Sequence, residues 1–159
     1  MRSLQILFLV ILCAAFVSGC SAVRKETAHQ HLLSLSDHSL IPLTLKAGLI
    51  EVEVVNTAQT TQQGLSGRDQ IGSDGLLFVF NQKSYQQFWM KKMKFDLDII
   101  WLEDLRVVDI TSNVPHPHLP ADSLRIYSPK VPVNGVLEVP GGTVQRWQLK
   151  IGDTFDYSW

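Results

Sequence analysis

The chain has 159 residues, 45% of them hydrophobic, and a formal net charge of -1. That length suits one domain, at roughly 100–200 residues per domain, and the apolar fraction is too high for a disordered chain. No basic excess exists to neutralise nucleic-acid phosphates, and 2 cysteines are too few for a disulfide scaffold or a tetrahedral cysteine zinc site.

Residues 1–19 stand apart from the rest. Arg2 precedes the almost wholly apolar run from Leu4 to Val17, and Ser18-Gly19 then lead into Cys20. Basic, apolar and small, in that order, describe a secretory signal. The run is shorter than the ~20 residues a membrane-spanning helix needs. Val17-Ser18-Gly19-Cys20 resembles the bacterial lipoprotein signal. The resemblance implies that diacylglycerol alkylates the Cys20 thiol, that cleavage precedes Cys20, and that the new amino-terminus is acylated. Each buried methylene adds ~0.8 kcal/mol, and two or more chains make a stable anchor. Ser21 follows, not aspartate, which in a Gram-negative cell implies the periplasmic face of the outer membrane. Cys13 would leave with the leader and Cys20 would carry lipid. The folded domain would then hold no thiol for a disulfide, a metal or nucleophilic catalysis.

Residues 20–39 are polar and lack periodicity, and they contain His29, His31 and His38. They read as a tether between membrane and domain. Residues 40–159 read as a single mainly-β domain. Leu49 to Val55 alternates Glu51 and Glu53 with Ile50, Val52 and Val54, the period of a half-buried strand. Thr57 is placed to cap a short helix through Gln63, with Gly64 ending it. Leu76 to Phe80, Tyr85 to Met90 and Leu97 to Leu102 are further strand candidates. Glu103-Asp104 fits a hairpin turn into Arg106 to Thr111. Three prolines between Val114 and Pro120 exclude helix interior and central strand there. Leu124 to Tyr127 and Val133 to Val139 follow as strands. Thr143 to Lys150 suits a second helix with Val144, Trp147 and Ile151 on one face. A last strand carries Phe155 and Tyr157. The pattern predicts a small barrel or sandwich of short, mostly antiparallel strands with one or two short helices.

Several segments together resemble one family, domain of unknown function 192. They are Gly64-Leu65-Ser66-Gly67-Arg68, Gly75-Leu76-Leu77-Phe78-Val79-Phe80, Phe88-Trp89-Met90-Lys91, Leu97-Asp98-Ile99-Ile100-Trp101, Leu137-Glu138-Val139-Pro140-Gly141-Gly142 and Gly152-Asp153. The resemblance runs from about Ile50 to Asp156. Lys92-Met93 stands where family members commonly carry Asn-Thr, and Asp96 where proline is frequent. The family has no established activity, so the resemblance implies a domain and an envelope context but no mechanism.

Four groups of residues carry candidate chemistry. Arg68 offers a planar fork for a carboxylate or phosphate, or pairs with an internal acid such as Asp98. In an extended Phe88–Lys91 run, Trp89 and Lys91 share a face, an indole beside an ammonium that suits an anionic or sugar-like ligand. Asp98 and Glu138, each set between apolar residues, are the weaker candidates for a carboxylate pair acting on envelope glycan. Met90, Met93, His116 and His118 are the right donor types for copper, though nothing in the sequence brings them together. The preferred expectation is non-enzymatic binding of a ligand or envelope partner through Arg68, Trp89 and Lys91. No cofactor is expected. Feeding cells a clickable fatty acid should label the protein, and Cys20→Ser should abolish the label; an unlabelled, freely released product would refute the anchor.

Overall fold

The computed structural model describes residues 27–119 and 125–158. Cys20 and the leader lie outside the described residues. The elements are α1 (Ala28–Ser34), β1 (Leu40–Leu45), β2 (Gly48–Val55), α2 (Ala58–Gln63), β3 (Gly75–Ser84), β4 (Phe88–Trp89), β5 (Leu97–Glu103), β6 (Arg106–Val114), β7 (Ile126–Tyr127), β8 (Val133–Pro140) and α3 (Thr143–Trp147). Six strands form one sheet in the order β1-β2-β3-β8-β5-β6, and β4 pairs with β7 in a second. All neighbours are antiparallel except β2 and β3, which run parallel and are joined through α2.

The fold is mainly β, as the strand pattern predicts, but the described strands form no closed barrel. The edge strands β1 and β6 do not pair with each other. The C-terminal stretch instead touches both through isolated bridges, Thr44 to Asp156 and Arg106 to Thr154.

The strands β3, β5 and β8 are covered on both faces, which is why they read as continuous apolar runs rather than as alternation. Leu77, Val79, Ile100, Leu102, Leu137 and Val139 face one side, against Leu32 of α1 and Phe155. Leu76, Phe78, Ile99, Trp101 and Val136 face the other, against Leu65, Ile71, Met90 and Met93. Trp101 is wholly buried, and its indole N–H donates to the Thr111 hydroxyl at 2.9 Å.

Local signals explain the helices. The Thr57 hydroxyl accepts from the Thr60 amide at 3.2 Å to start α2, and Gly64 ends it with φ 50°. In α1, Thr27 and Gln30 form a reciprocal capping box and Leu32 enters the core. Residues 28–34 therefore fold onto the domain, where the polarity of 20–39 had suggested tether throughout. α3 is shorter than expected: Gln148 turns left-handed at φ 51°, and Ile151 is left 62% exposed, off the helix face.

The remaining differences are local. Within Tyr85–Met90 only Phe88 and Trp89 pair, with Tyr127 and Ile126. The hairpin turn falls one residue later than expected, on Asp104 and Leu105, with φ 48° and 68°. Asn134 fixes it, accepting from the Asp104 amide at 2.9 Å and donating to the Asp104 carboxyl at 2.7 Å. Phe155 is buried, but the last strand expected around it is replaced by isolated bridges.

Gly75 starts β3 where it meets β8. A Cβ there would lie 2.8 Å from Leu137 Cδ1 and 3.0 Å from the Glu138 carbonyl oxygen. Gly75→Ala should therefore lower the unfolding free energy by about 1–3 kcal/mol, the usual cost of overpacking, measured by urea denaturation. An unchanged midpoint would show that β8 yields to the methyl group.

Candidate functional site

A cavity of about 440 Å³ opens on the face of the sheet that carries Phe78 and Trp101. The end of α2 supplies Thr61, Gln62 and Gln63, and the following loop supplies Gly64, Leu65 and Ser66. Phe78 and Phe80 come from β3, Phe88 and Trp89 from β4, Ile126 from β7 and Glu138 from β8. Gln86, Gln87 and Met93 complete the wall. The rings are mutually braced: Phe78 meets Phe88 edge-on at 4.9 Å and Phe88 meets Trp101 edge-on at 5.6 Å. Edge-to-face pairs at these separations hold aromatic rings in place.

Glu138 is the singular group in this wall. The pleat places it beside Leu76 of β3 and Ile99 of β5, both wholly apolar neighbours. It is 5% exposed, and no hydrogen bond from the described residues reaches its carboxyl. Burial pushes its pKa up to about 8, with the charge of Arg68 pulling weakly the other way. Near neutral pH it is mainly a neutral acid, able to donate one hydrogen bond and accept others.

Arg68 does not line the cavity and does not pair with Asp98. Its fork grips Glu53 of β2, Nη1 to Oε2 at 2.6 Å and Nη2 to Oε1 at 2.9 Å. The Arg68 guanidinium holds the Glu53 carboxyl below the usual carboxylate range, helped by His38 Nδ1 at 2.5 Å from Oε1. Glu53 was legible only as the polar face of an alternating strand, so its pairing could not be read.

Trp89 and Lys91 do lie together, as the alternation of Phe88–Lys91 predicts. Lys91 Nζ stands 5.6 Å from the Trp89 ring centre, a cation–π contact. Trp89 is 49% exposed and lines both the main cavity and a shallower neighbouring one, whereas Lys91 lines only the latter, with Lys92. Lys92 has φ 59°, a left-handed conformation that asparagine tolerates better than lysine.

Asp98 and Glu138 do not converge. Asp98 stands opposite Val139, and Glu138 opposite Ile99, so the two side chains leave the sheet on opposite faces. Asp98 is fully engaged: Oδ1 accepts from the Asn113 amide at 2.7 Å and Oδ2 from the Val144 amide at 2.8 Å. The second bond caps the start of α3, where Gly142 provides no side chain. The copper donors fall into two pairs, Met90 with Met93 and His116 with His118, whose rings meet at 4.5 Å. Met90 and Met93 pack in the apolar cluster with Trp101, while His116 Nδ1 sits 2.6 Å from Asp96 beside a different cavity.

The aromatic wall and the glutamines were missed as a site because they come from three separated segments, 62–63, 78–80 and 86–89. The signal that was present, the polar Glu138 inside an otherwise apolar strand, marked a cavity-lining residue but paired it with Asp98, which leaves the other face of the sheet.

Residues 42–157 match the family model for domain of unknown function 192, described as an uncharacterized ACR. Among curated proteins none matches the chain. Two solved structures are similar. One, from Sinorhizobium meliloti 1021, is described as a "putative transcription regulator"; it is 28% identical, with a TM-score of 0.64 over 77% of this chain and 97% of that one. The other, a protein of unknown function from Novosphingobium aromaticivorans DSM 12444, is 30% identical, with a TM-score of 0.62 over 74% of this chain and 84% of that one.

The raised pKa of Glu138 fixes a sign. Between pH 4.5 and about 8 the folded chain keeps a proton that the unfolded chain releases, so this group's contribution falls as pH rises across that window. Glu138→Gln should match wild type in urea denaturation near pH 5 and exceed it by about 2–4 kcal/mol near pH 8.5. A constant difference across pH would mean that the carboxyl titrates normally.

Proposed function

The chain belongs to the domain of unknown function 192 family, and from that premise we propose that it is a lipid-anchored envelope protein whose domain binds a small ligand without transforming it. The membrane partner is the lipid on Cys20, at the periplasmic face of the outer membrane in a Gram-negative cell. The observation that carries the binding reading is the cavity bounded by Phe78, Phe80, Phe88 and Trp89 with the unpartnered carboxyl of Glu138 in its wall. Preformed clefts of roughly 300–1,000 Å³ with apolar walls and few polar groups are the usual form of small-molecule sites. The glutamine amides at the ends of α2 and β3 add hydrogen-bonding groups for orientation.

This reading moves the site inward from the Trp89–Lys91 face expected for an anionic or sugar-like ligand. Trp89 remains in it, Lys91 borders it, and Arg68 stays outside it, its fork held by Glu53 on the same face of the sheet as Glu138. A paired-carboxylate enzyme gains no support, because Asp98 and Glu138 leave opposite faces of the sheet.

A small aromatic probe tests the reading. 2-Phenylethanol, titrated against the full-length protein and followed by tryptophan fluorescence, should bind with Kd on the order of 1 mM, the range expected for so few atoms. Trp89→Ala should weaken it about tenfold, since one aromatic wall is worth roughly 1.4 kcal/mol. No binding at about 10 mM would remove the cavity as a ligand site.

A further inference from the structure

We propose that the cavity takes a small organic ammonium, its nitrogen against the Glu138 carboxylate and its apolar body among Phe78, Phe80, Phe88 and Trp89. The inference rests on the ligand-binding reading above and names the chemical class that reading leaves open.

Three observations carry it. First, among the described residues Glu138 is the one ionisable side chain in the cavity wall; it is nine-tenths or more buried, and none of them hydrogen-bonds it. A buried carboxyl without a partner is costly once charged, and a ligand that brings the missing cation removes that cost. Second, the wall is aromatic, and the negative faces of aromatic rings favour cations over neutral groups of the same size. Trp89 already shows this preference toward Lys91. Third, among the described residues no cation engages the carboxyl. The charge of Arg68 acts on Glu138, but its fork is occupied by Glu53, which also holds His38. On the packed elements, β3 presents Leu76 beside Glu138 and β5 presents Ile99, while Asp98 of β5 lies on the opposite face. Lys91 and Lys92 line the neighbouring cavity rather than this one.

The protonation balance follows. An alkylammonium has a lysine-like pKa of ~10.4 and stays charged through neutral pH. Glu138, held protonated by burial, must give up its proton to pair with it, and that proton passes to the buffer. Binding of the cation therefore tightens as pH rises toward about 8 and levels off above it. A neutral hydroxyl of the same shape shows no such dependence on Glu138.

The test compares 2-phenylethylamine with 2-phenylethanol on the full-length protein. The expected result is an amine Kd that tightens roughly tenfold per unit between about pH 6 and 7.5, with close to one proton released per ligand by calorimetry in two buffers. At about pH 8 the amine should bind at least ~tenfold tighter than the alcohol. Glu138→Gln should abolish both the preference and the proton release while keeping the alcohol site. Any pH effect that survives in that variant arises outside Glu138 and counts against the proposal. Equal binding of amine and alcohol by wild type overturns the ammonium assignment and leaves the apolar-ligand reading standing. If wild type binds neither probe, both fall.

Discussion

The structure depends on covering β3, β8 and β5 on both faces. Over Gly75–Val79 of β3, Leu97–Leu102 of β5 and Val133–Val139 of β8, each side chain must be accommodated inside the fold, whichever way the pleat turns it. Two layers of aliphatic and aromatic residues result, one closed by α1, α3 and Phe155, the other by the segment from α2 to Met93. Within those stretches the constraint leaves no solvent-facing register in which to place a charge; Lys83 and Glu103 find one only at the exposed strand ends, where they pair. Every acid inside the covered stretches must then be satisfied within the fold or tolerated as neutral.

The buried acids show both solutions. Asp98 spends both oxygens on backbone amides and holds the first turn of α3. Asp109, on the neighbouring strand β6, accepts from the Lys130 amide at 3.0 Å and from its ammonium at 3.3 Å. Glu138 has neither arrangement, and burial keeps its proton on. The difference between a structural acid and a candidate binding acid here is one of partners, since all three are close to fully buried.

Strand existence was legible because periodicity reports burial directly. Alternation marked β2, and unbroken apolar runs marked β3, β5 and β8. Caps were legible where one residue decides, as at Thr57 and Gly64. The site was legible only in fragments. Trp89 and Glu138 both line the cavity, yet they lie on different sheets, and local spacing cannot bring them together. The internal acid suggested for Arg68 was Asp98, and the one it grips is Glu53, because the two are equivalent acids in one dimension. What separates them is which face of the sheet each leaves, and that depends on register across strands far apart in sequence. α1 was missed for a different reason: a polar, histidine-rich composition concealed a capping box and a single anchoring leucine.

The short C-terminal stretch from Asp153 to Asp156 has a role beyond filling the core with Phe155. It exchanges backbone hydrogen bonds with Thr44 on β1 and with Val107 on β6, the two margins of the main sheet. Sheet margins are templates for pairing with other chains, because their amide and carbonyl groups are otherwise free. One strap of four residues thus shields parts of both margins at once. Removing it would take away a core aromatic and uncover parts of both sheet margins in a single event, so two losses of different kind are tied to one short segment.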